Sequence, residues 1–446
     1  MARQYFGTDG IRGRVNTPPM TAESALRLAI AAARTFAPNG GREVVIGRDT
    51  RRSGQMIESA LIAGLTSMGL KPVLLGVVPT PTVALMTRET GAALGLMVSA
   101  SHNKSHDNGI KLFSPAGIKL TDAEEEALEG AMASAFEGDF APPPAIATPH
   151  HMQGATALYL ERCLETVGTD IDFSGLKIVL DCAHGAAYEV GPAALRHLGA
   201  DVAIIGDIPD GLNINAGVGS TATGLLKSTV TETGADIGIA FDGDADRVLV
   251  IDELGEEVDG DQVMALIAGE LHRASRLKGG GMVATIMSNM GLAEYLKGLD
   301  LTLARTKVGD RYVGEHMRQH GFNLGGEQSG HIILSDVSTT GDGLLAALQV
   351  LKTLAASDQP ASSIMRVFEP APQELINIPF NGSNPLESAG VGDALTQADE
   401  LLGERGRMVV RKSGTEPLIR VMAEALDEDL MRRALSLVVA AVQAEA

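Results

Sequence analysis

One pattern occurs three times along this chain, at intervals of a domain's length. Val44–Ile46 reads as a strand, Arg48–Ser53 as a polar loop, Leu61 to Met68 as a helix, and Lys71–Leu75 as a second strand. The order returns at Lys177–Asp181, Cys182–Gly185, a helix through Leu195, and Ala200–Ile205. It returns again at Met282–Thr285, Met287–Gly291, a helix to Leu296, and Leu301–Leu303. Strand, loop, helix, glycine-containing turn, strand is how a right-handed βαβ unit looks in sequence, and such units build a mostly parallel sheet. Copies starting near residues 44, 178 and 282 are too far apart for a solenoid, whose repeats run about 20–50 residues. Three tandem α/β domains are expected.

Linkers fall where composition shifts. Gly138–Pro144 is proline-rich and suits neither strand nor helix, Asp252–Glu257 is a charged turn ahead of a helix at Val263–Leu271, and Glu369–Gln373 carries two prolines. Beyond the last linker the pattern changes to a strand at Glu374–Ile378, a helix near Ala394–Leu402, strands at Met408–Arg411 and Leu418–Met422, and an amphipathic C-terminal helix. That reads as a small α+β domain with antiparallel strands. The expected partition is residues 1–144, 155–252, 253–368 and 373–446.

Composition excludes several partners. A hydrophobic content of 45% and a charged content of 21% over 446 residues describe an ordinary soluble globular protein. A formal charge of −20 argues against nucleic acid or an anionic membrane as partner. An anionic substrate then needs cations gathered locally, effective over about one Debye length, roughly 8 Å. The absence of tryptophan and 3% aromatic content leave little for stacking on single-stranded nucleic acid. No apolar run approaches the ~20 residues of a membrane helix, and Met1–Gly7 lacks the apolar core of a signal peptide. Cys163 and Cys182 form no metal-ligand spacing and suit a reducing cytoplasm.

The chemistry concentrates in a few loops. The apolar run Gly95–Val98 ends in Ser99-Ala100-Ser101-His102-Asn103, so a buried strand is expected to deliver Ser101 to an exposed turn. With His102, Asn103 and Lys111 nearby, Ser101 is a candidate nucleophile or phosphate carrier; the plainer role is a helix cap. Asp242, Asp244 and Asp246 follow the strand Ile237–Phe241, and extended spacing of two would put all three on one side. Three like charges need a cation, and hard oxygen ligands favour Mg²⁺. A calcium EF-hand loop fits Asp242, Asp244, Asp246 and Glu253, but Arg247 stands where that loop needs glycine. Arg247 adds a fixed cation that can pair an aspartate or neutralise phosphate charge.

Gly325–His331 sets Glu327 and Ser329 in a glycine-rich loop after an apparent strand, and a carboxylate there can accept hydrogen bonds from neighbouring sugar hydroxyls. Arg411–Pro417 supplies two cations, two hydroxyls and several backbone N–H groups, the makings of a phosphate nest or of an exposed hairpin turn. It lacks Walker spacing, so nucleotide binding is not implied.

Taken together with Phe6–Gly13, these motifs resemble the α-D-phosphohexomutases over essentially the whole chain. The resemblance implies three similar α/β domains and a smaller C-terminal α+β domain around a central cleft. By motif, Ser101 corresponds to the phosphoserine carrier, and Asp242, Asp244 and Asp246 to Mg²⁺ ligands together with a Ser101 phosphate oxygen. Glu327 and Ser329 correspond to the sugar-specificity loop. Arg411, Ser413, Gly414 and Thr415, with Arg420, correspond to the grip on the substrate's non-reacting phosphate. Arg12, His102, Lys111, Arg247 and His331 fall on cleft positions, the last four as candidates for catalysis. Ser99 and Gln328 favour the branch that interconverts glucosamine 6-phosphate and glucosamine 1-phosphate through a sugar bisphosphate. Activity on glucose or mannose phosphates, or sugar-phosphate binding without turnover, are the alternatives. Lys104 and Ser105 depart from the proline-containing turn usual in the family. The expected partner is a small phosphosugar, with no nucleic acid or membrane, on a monomer or homodimer.

Overall fold

A computed structural model describes residues 5–7, 9–169, 171–381, 384–412 and 418–446. The chain forms two compact units: Met1–Thr285 with Ala304–Arg366, and Ile286–Leu303 with Val367–Ala446.

The first unit holds three sheets. The first contains β1 (Ile11–Arg14), β2 (Glu43–Arg48), β3 (Lys71–Val77), β4 (Leu94–Val98), β5 (Asp107–Phe113) and β6 (His150–His151), in the order β1-β5-β4-β2-β3-β6. β2 runs parallel to β3 and β4, whereas β5 is antiparallel to β4 and β1. Val44, Val45 and Ile46 are all buried because helices cover both faces of this sheet. Leu28, Leu61 and Leu65, from the helices Ala22–Phe36 and Gly54–Ser67, pack with Ile46 and Leu96 on one side. Val83, from the helix Thr80–Thr90, packs with Val45 and Met97 on the other.

The second sheet, β7 (Lys177–Asp181), β8 (Asp201–Ile205), β9 (Ile237–Phe241), β10 (Val248–Asp252) and β11 (Glu257–Val258), has the order β11-β10-β9-β7-β8. β9 is parallel to β7 and antiparallel to β10, so the aspartate loop 242–247 is the connection of a hairpin. Val250 pairs with Val258 across a further turn, which puts the expected boundary at 252/253 inside a second hairpin. The charged turn read as a linker is a strand-to-strand turn of one sheet.

The third sheet, β12 (Gly281–Thr285), β13 (Thr302–Thr306), β14 (Leu324–Gly326) and β15 (Ile332–Leu334), has the order β13-β12-β14-β15. β14 and β15 form an antiparallel hairpin whose connection is Glu327–His331.

The second unit has one antiparallel sheet, β16 (Gln373–Pro379), β17 (Gly406–Lys412) and β18 (Leu418–Ala425), in the order β16-β18-β17. Val391 and Ala398 from the helix Ala389–Leu402, and Leu435 and Val438 from Glu428–Ala444, cover it over Ile419 and Val421. This unit also carries the helix Met290–Gly298, which the repeat pattern would keep with the third α/β domain. The Arg407 guanidinium donates to the carbonyls of Ile286 at 2.7 Å and Ser288 at 2.5 Å, and its Nε to Glu424 at 2.6 Å. Glu424, fully buried, accepts the Met290 N–H at 2.5 Å. An ion pair between half-buried Arg407 and buried Glu424 thus satisfies the loop's backbone groups and fastens that helix to the antiparallel sheet.

Candidate active site

β4 is buried along its whole length and ends where the chain must turn back into β5. Ser101 sits in that turn with φ of 51°, in the left-handed region, where a non-glycine residue is strained by about 1–3 kcal/mol. The expected exposed serine is in fact only 1% exposed. The aspartate loop of the second sheet covers it: the Ser101 Oγ–H donates to Asp242 Oδ2 at 2.6 Å. A Cβ on Gly243 would come within 2.6 Å of the Ser101 carbonyl oxygen, so glycine permits that approach.

The three aspartates converge, but not by strand alternation. Residues 242–247 form a turn in which Ala245 takes φ of 56°. One oxygen from each of Asp242, Asp244 and Asp246 lies within 4.8 Å of the others, and all three residues are buried. Thr80 Oγ1 donates to Asp244 Oδ2 at 2.5 Å, and the Thr80 N–H donates to the Asp244 carbonyl. Burial, then the charges of Asp246 and Asp244, push the Asp242 carboxyl up to about 8. Asp244 Oδ1 and Asp246 Oδ1 are buried without a hydrogen-bond partner among the described residues. Unsatisfied carboxylate oxygens beside a third carboxyl are a donor set that fits a hard divalent cation such as Mg²⁺.

Lys111, on β5, reaches the same cluster. Its Nζ is 2.6 Å from Asp246 Oδ2, 2.8 Å from Asp244 Oδ2 and 3.1 Å from Asp9 Oδ2. Burial works against its charge, but Asp244, Asp246 and Asp9 outweigh it and hold the ammonium well above its ordinary range.

His331, at the end of the β14–β15 connection, lies between two carboxylates: Nε2 is 2.9 Å from Asp310 and Nδ1 3.6 Å from Asp246. Burial opposes its charge, yet Asp310 and Asp246 raise it to about 10. The Gly341 N–H also lies 3.1 Å from Nε2, a contact only an unprotonated nitrogen could accept. Flanked by two buried carboxylates, the ring keeps its charge and Nε2–H donates to Asp310. Lys119 Nζ is 2.5 Å from Asp310 and 2.6 Å from Asp9, which closes a ring: Asp9, Lys111, Asp246, His331, Asp310, Lys119.

His102 has the opposite character. Its Nδ1 is 3.3 Å from Ser101 Oγ and 3.3 Å from Arg247 Nη1. Burial, then Arg247 and Arg12, lower it to about 4, so the ring is neutral at pH 7. A guanidinium can only donate, so Nδ1 carries the lone pair. Arg247 keeps its charge against burial through Asp246 and Asp242.

The structure thus gathers Ser101, His102, Lys111, the three aspartates, Arg247 and His331 in one place, and ties Arg12 to Asp9 at 3.1 Å. Glu327 Oε1 accepts the Gly309 N–H at 3.0 Å, and its charge is felt by Arg247. Ser329 is exposed, and Gln328 donates to Asp259 at 2.9 Å. Arg411 and Arg420 belong to the second unit, as partners across β17 and β18, and burial followed by the charge of Arg420 lowers the Arg411 guanidinium. Ser413, Gly414 and Thr415 lie outside the described residues. Lys119 and Asp310 went unread in sequence. They stand 191 residues apart and belong to no short motif. Asp9 lies inside Phe6–Gly13, where the motif could have flagged it.

This fold and site define a phosphoryl-transfer enzyme of the mutase kind. Residues 3–139, 157–255 and 259–371 match alpha/beta/alpha domains I, II and III of phosphoglucomutase/phosphomannomutase, and residues 375–441 match its C-terminal domain. A phosphoglucosamine mutase of Hyphomonas neptunium is 74% identical over 446 residues, covering 100% of this chain and 99% of that one. One of Caulobacter vibrioides is 54% identical over 444 residues, 99% of each chain. The crystal structure of a phosphoglucomutase/phosphomannomutase family protein from Burkholderia thailandensis superposes with a TM-score of 0.82 at 24% identity. It covers 98% of this chain and 97% of its own, a likeness of fold. The chain belongs to the phosphohexomutase family.

Proposed function

We propose that the protein is a phosphoglucosamine mutase, interconverting glucosamine 6-phosphate and glucosamine 1-phosphate through a phosphorylated Ser101. The observation that carries the chemistry is the Ser101 Oγ held 2.6 Å from Asp242 within the buried aspartate triad. Full-length similarity to the Hyphomonas relative supports the choice of sugar.

In the forward direction the free 1-hydroxyl of glucosamine 6-phosphate attacks the phosphorus on Ser101. The Oγ–P bond breaks, a sugar O–P bond forms, and the hydroxyl proton passes to a base. The product at this stage is glucosamine 1,6-bisphosphate. After it turns over, its 6-phosphate returns to Ser101 and glucosamine 1-phosphate leaves. Lys111, Arg247 and charged His331 supply the fixed positive charge that a phosphoryl transition state requires. Neutral His102, whose Nδ1 lone pair lies 3.3 Å from Oγ, supplies an acceptor for a proton there. Mg²⁺ held by Asp242, Asp244 and Asp246 with a Ser101 phosphate oxygen would neutralise charge on the transferred group. Glu327 and Ser329 would read sugar hydroxyls. Arg411 and Arg420, with Ser413, Gly414 and Thr415, would hold the non-reacting phosphate by charge and shape, whichever carbon carries it. In this reading the chain works as four domains, those expected from sequence except that the boundary at 252/253 moves past the β10–β11 hairpin, beyond Val258. Its partner is a phosphosugar, on a monomer or homodimer. A cytoplasmic location agrees with the finding that no helix of the described residues is long and apolar enough to cross a membrane.

Turnover of glucosamine, glucose and mannose 6-phosphates, measured side by side, tests this. The highest kcat/KM is expected for glucosamine 6-phosphate, and peptide mapping should find phosphate on Ser101. Ser101→Ala should lower kcat by about 10⁴-fold or more. Preference for another hexose would move the chain to a different branch, and an active Ser101→Ala would remove the phosphoserine route.

A further inference from the structure

Two residues to which the sequence assigned no role in the site hold the backbone on which Ser101 stands. Asn215 Nδ2 donates to the carbonyl of Ser101 at 2.9 Å and to that of Asn103 at 2.9 Å. Arg51 Nη2 donates to the same two carbonyls, 3.1 Å from that of Ser101. Each carbonyl has two lone pairs, so two donors apiece leave no acceptor capacity and over-determine the turn around His102. Both donors are themselves fixed. Arg51 is fully buried, with its guanidinium on Asp49 and its own N–H on Asp49 Oδ1 at 2.9 Å. Asn215 is 4% exposed and its N–H donates to the Ala183 carbonyl at 2.9 Å. Arg51 follows β2 in the first sheet, and Asn215 lies between β8 and β9 of the second, the sheet that carries the aspartates. The serine turn is therefore registered to both.

We propose that Arg51 and Asn215 are positioning residues that clamp the Ser101 turn so that Oγ keeps its aim once it carries a phosphoryl group. In the unmodified protein the Oγ–H bond to Asp242 orients the side chain. Phosphorylation removes that proton, so this bond no longer orients the side chain. A single side-chain torsion separates Oγ from the backbone, so a fixed backbone confines Oγ to a few staggered positions. The left-handed conformation of Ser101, which the chain would relax if free to do so, persists because both carbonyls are held. The inference rests on the phosphoserine reading above.

The full chain with Asn215→Ala, Asn215→Asp and Arg51→Lys tests it, beside the parent enzyme on the three hexose 6-phosphates. Asn215→Ala should lower kcat by about 10–100-fold, approaching the roughly 10² that an ångström of misplacement costs, with KM for the sugar phosphate changed little. Single-turnover transfer from phospho-Ser101 should slow by the same factor. Asn215→Asp, nearly the same shape but with an oxygen facing two carbonyls, should be slower than Asn215→Ala. Arg51→Lys, which keeps the charge on Asp49 but loses the fork, should also lower kcat at nearly constant KM. Parent-level kcat in Asn215→Asp overturns the proposal. So does a parallel change of kcat, KM and thermal midpoint, or failure of all three variants to fold, since either assigns the residues to stability alone. A parent active on one of the sugars with unaffected variants overturns only the clamp. A parent inactive on all three overturns the functional reading and the clamp with it.

Discussion

His331 and His102 show how far surroundings decide what one residue type does. Both follow a serine-containing loop, yet one keeps its charge to about 10 and the other loses it near 4. His331 faces Asp310 and Asp246, while His102 faces Arg247 and Arg12. The raised value has a consequence for stability. Because the folded His331 holds its proton more tightly than an unfolded histidine, its contribution is fully present below about 6.5 and is lost as pH rises through about 10. In urea unfolding, the stability difference between the parent and His331→Gln should be largest near pH 6.5, on the order of a few kcal/mol, and shrink towards pH 10. A difference constant with pH would mean that the ring is neutral in the folded protein. Sequence named both histidines, but their charges depend on groups up to 145 residues away.

At the scale of elements, the Ser101 turn, the aspartate connection and the Glu327–His331 connection, all in the first unit, are held against one another. The Glu327–His331 connection is tied to β10 of the second sheet: the Val248 N–H donates to the Gly330 carbonyl at 3.0 Å, and the Gly330 N–H to that of Glu327 at 3.0 Å. Gly330 has φ of 88°, and a Cβ there would lie 1.9 Å from the Val248 carbonyl oxygen. Gly330→Ala should therefore destabilise the protein by about 2 kcal/mol or more and raise KM for the sugar phosphate, because Glu327 and Ser329 shift with the turn. Denaturant titration and steady-state kinetics check both, and an unchanged midpoint with unchanged KM would leave the loop no part in holding sugar. The βαβ order and the strands bearing Ser101 and the aspartates were legible, because apolar runs broken by polar loops are a local signal. The hairpin across 252/253 and the attachment of Met290–Gly298 to the second unit were not. Pairing partners, and the contacts of the Arg407–Glu424 pair with Ile286, Ser288 and Met290, are set at long range.

Across the molecule, a net charge of −20 is reconciled with an anionic substrate by a cluster in which cations and carboxylates alternate. Asp9, Lys111 and Lys119 come from the first α/β region, Asp244 and Asp246 from the second, and Asp310 and His331 from the third, so the site exists only when all three are folded together. Mg²⁺ binding to this folded arrangement should stabilise the protein, by about 2.7 kcal/mol at a hundred times Kd. Chelation should lower the thermal midpoint and abolish turnover, and added Mg²⁺ should restore both. A chelated enzyme with the parent's midpoint and turnover would make the triad a structural acidic turn.

Sequence by itself determined the α/β repeat, the antiparallel tail, the serine, the aspartates, and the family to which they point, because each is a contiguous pattern whose meaning survives without neighbours. Tertiary structure alone decided that Ser101 is buried, that the aspartates meet through a turn with a left-handed Ala245, and which histidine is charged. It also recruited Asp9, Lys119, Asp310, Arg51 and Asn215. Burial and electrostatic coupling depend on distances in space, and residues brought together from three sheets leave no spacing in the chain by which to find them.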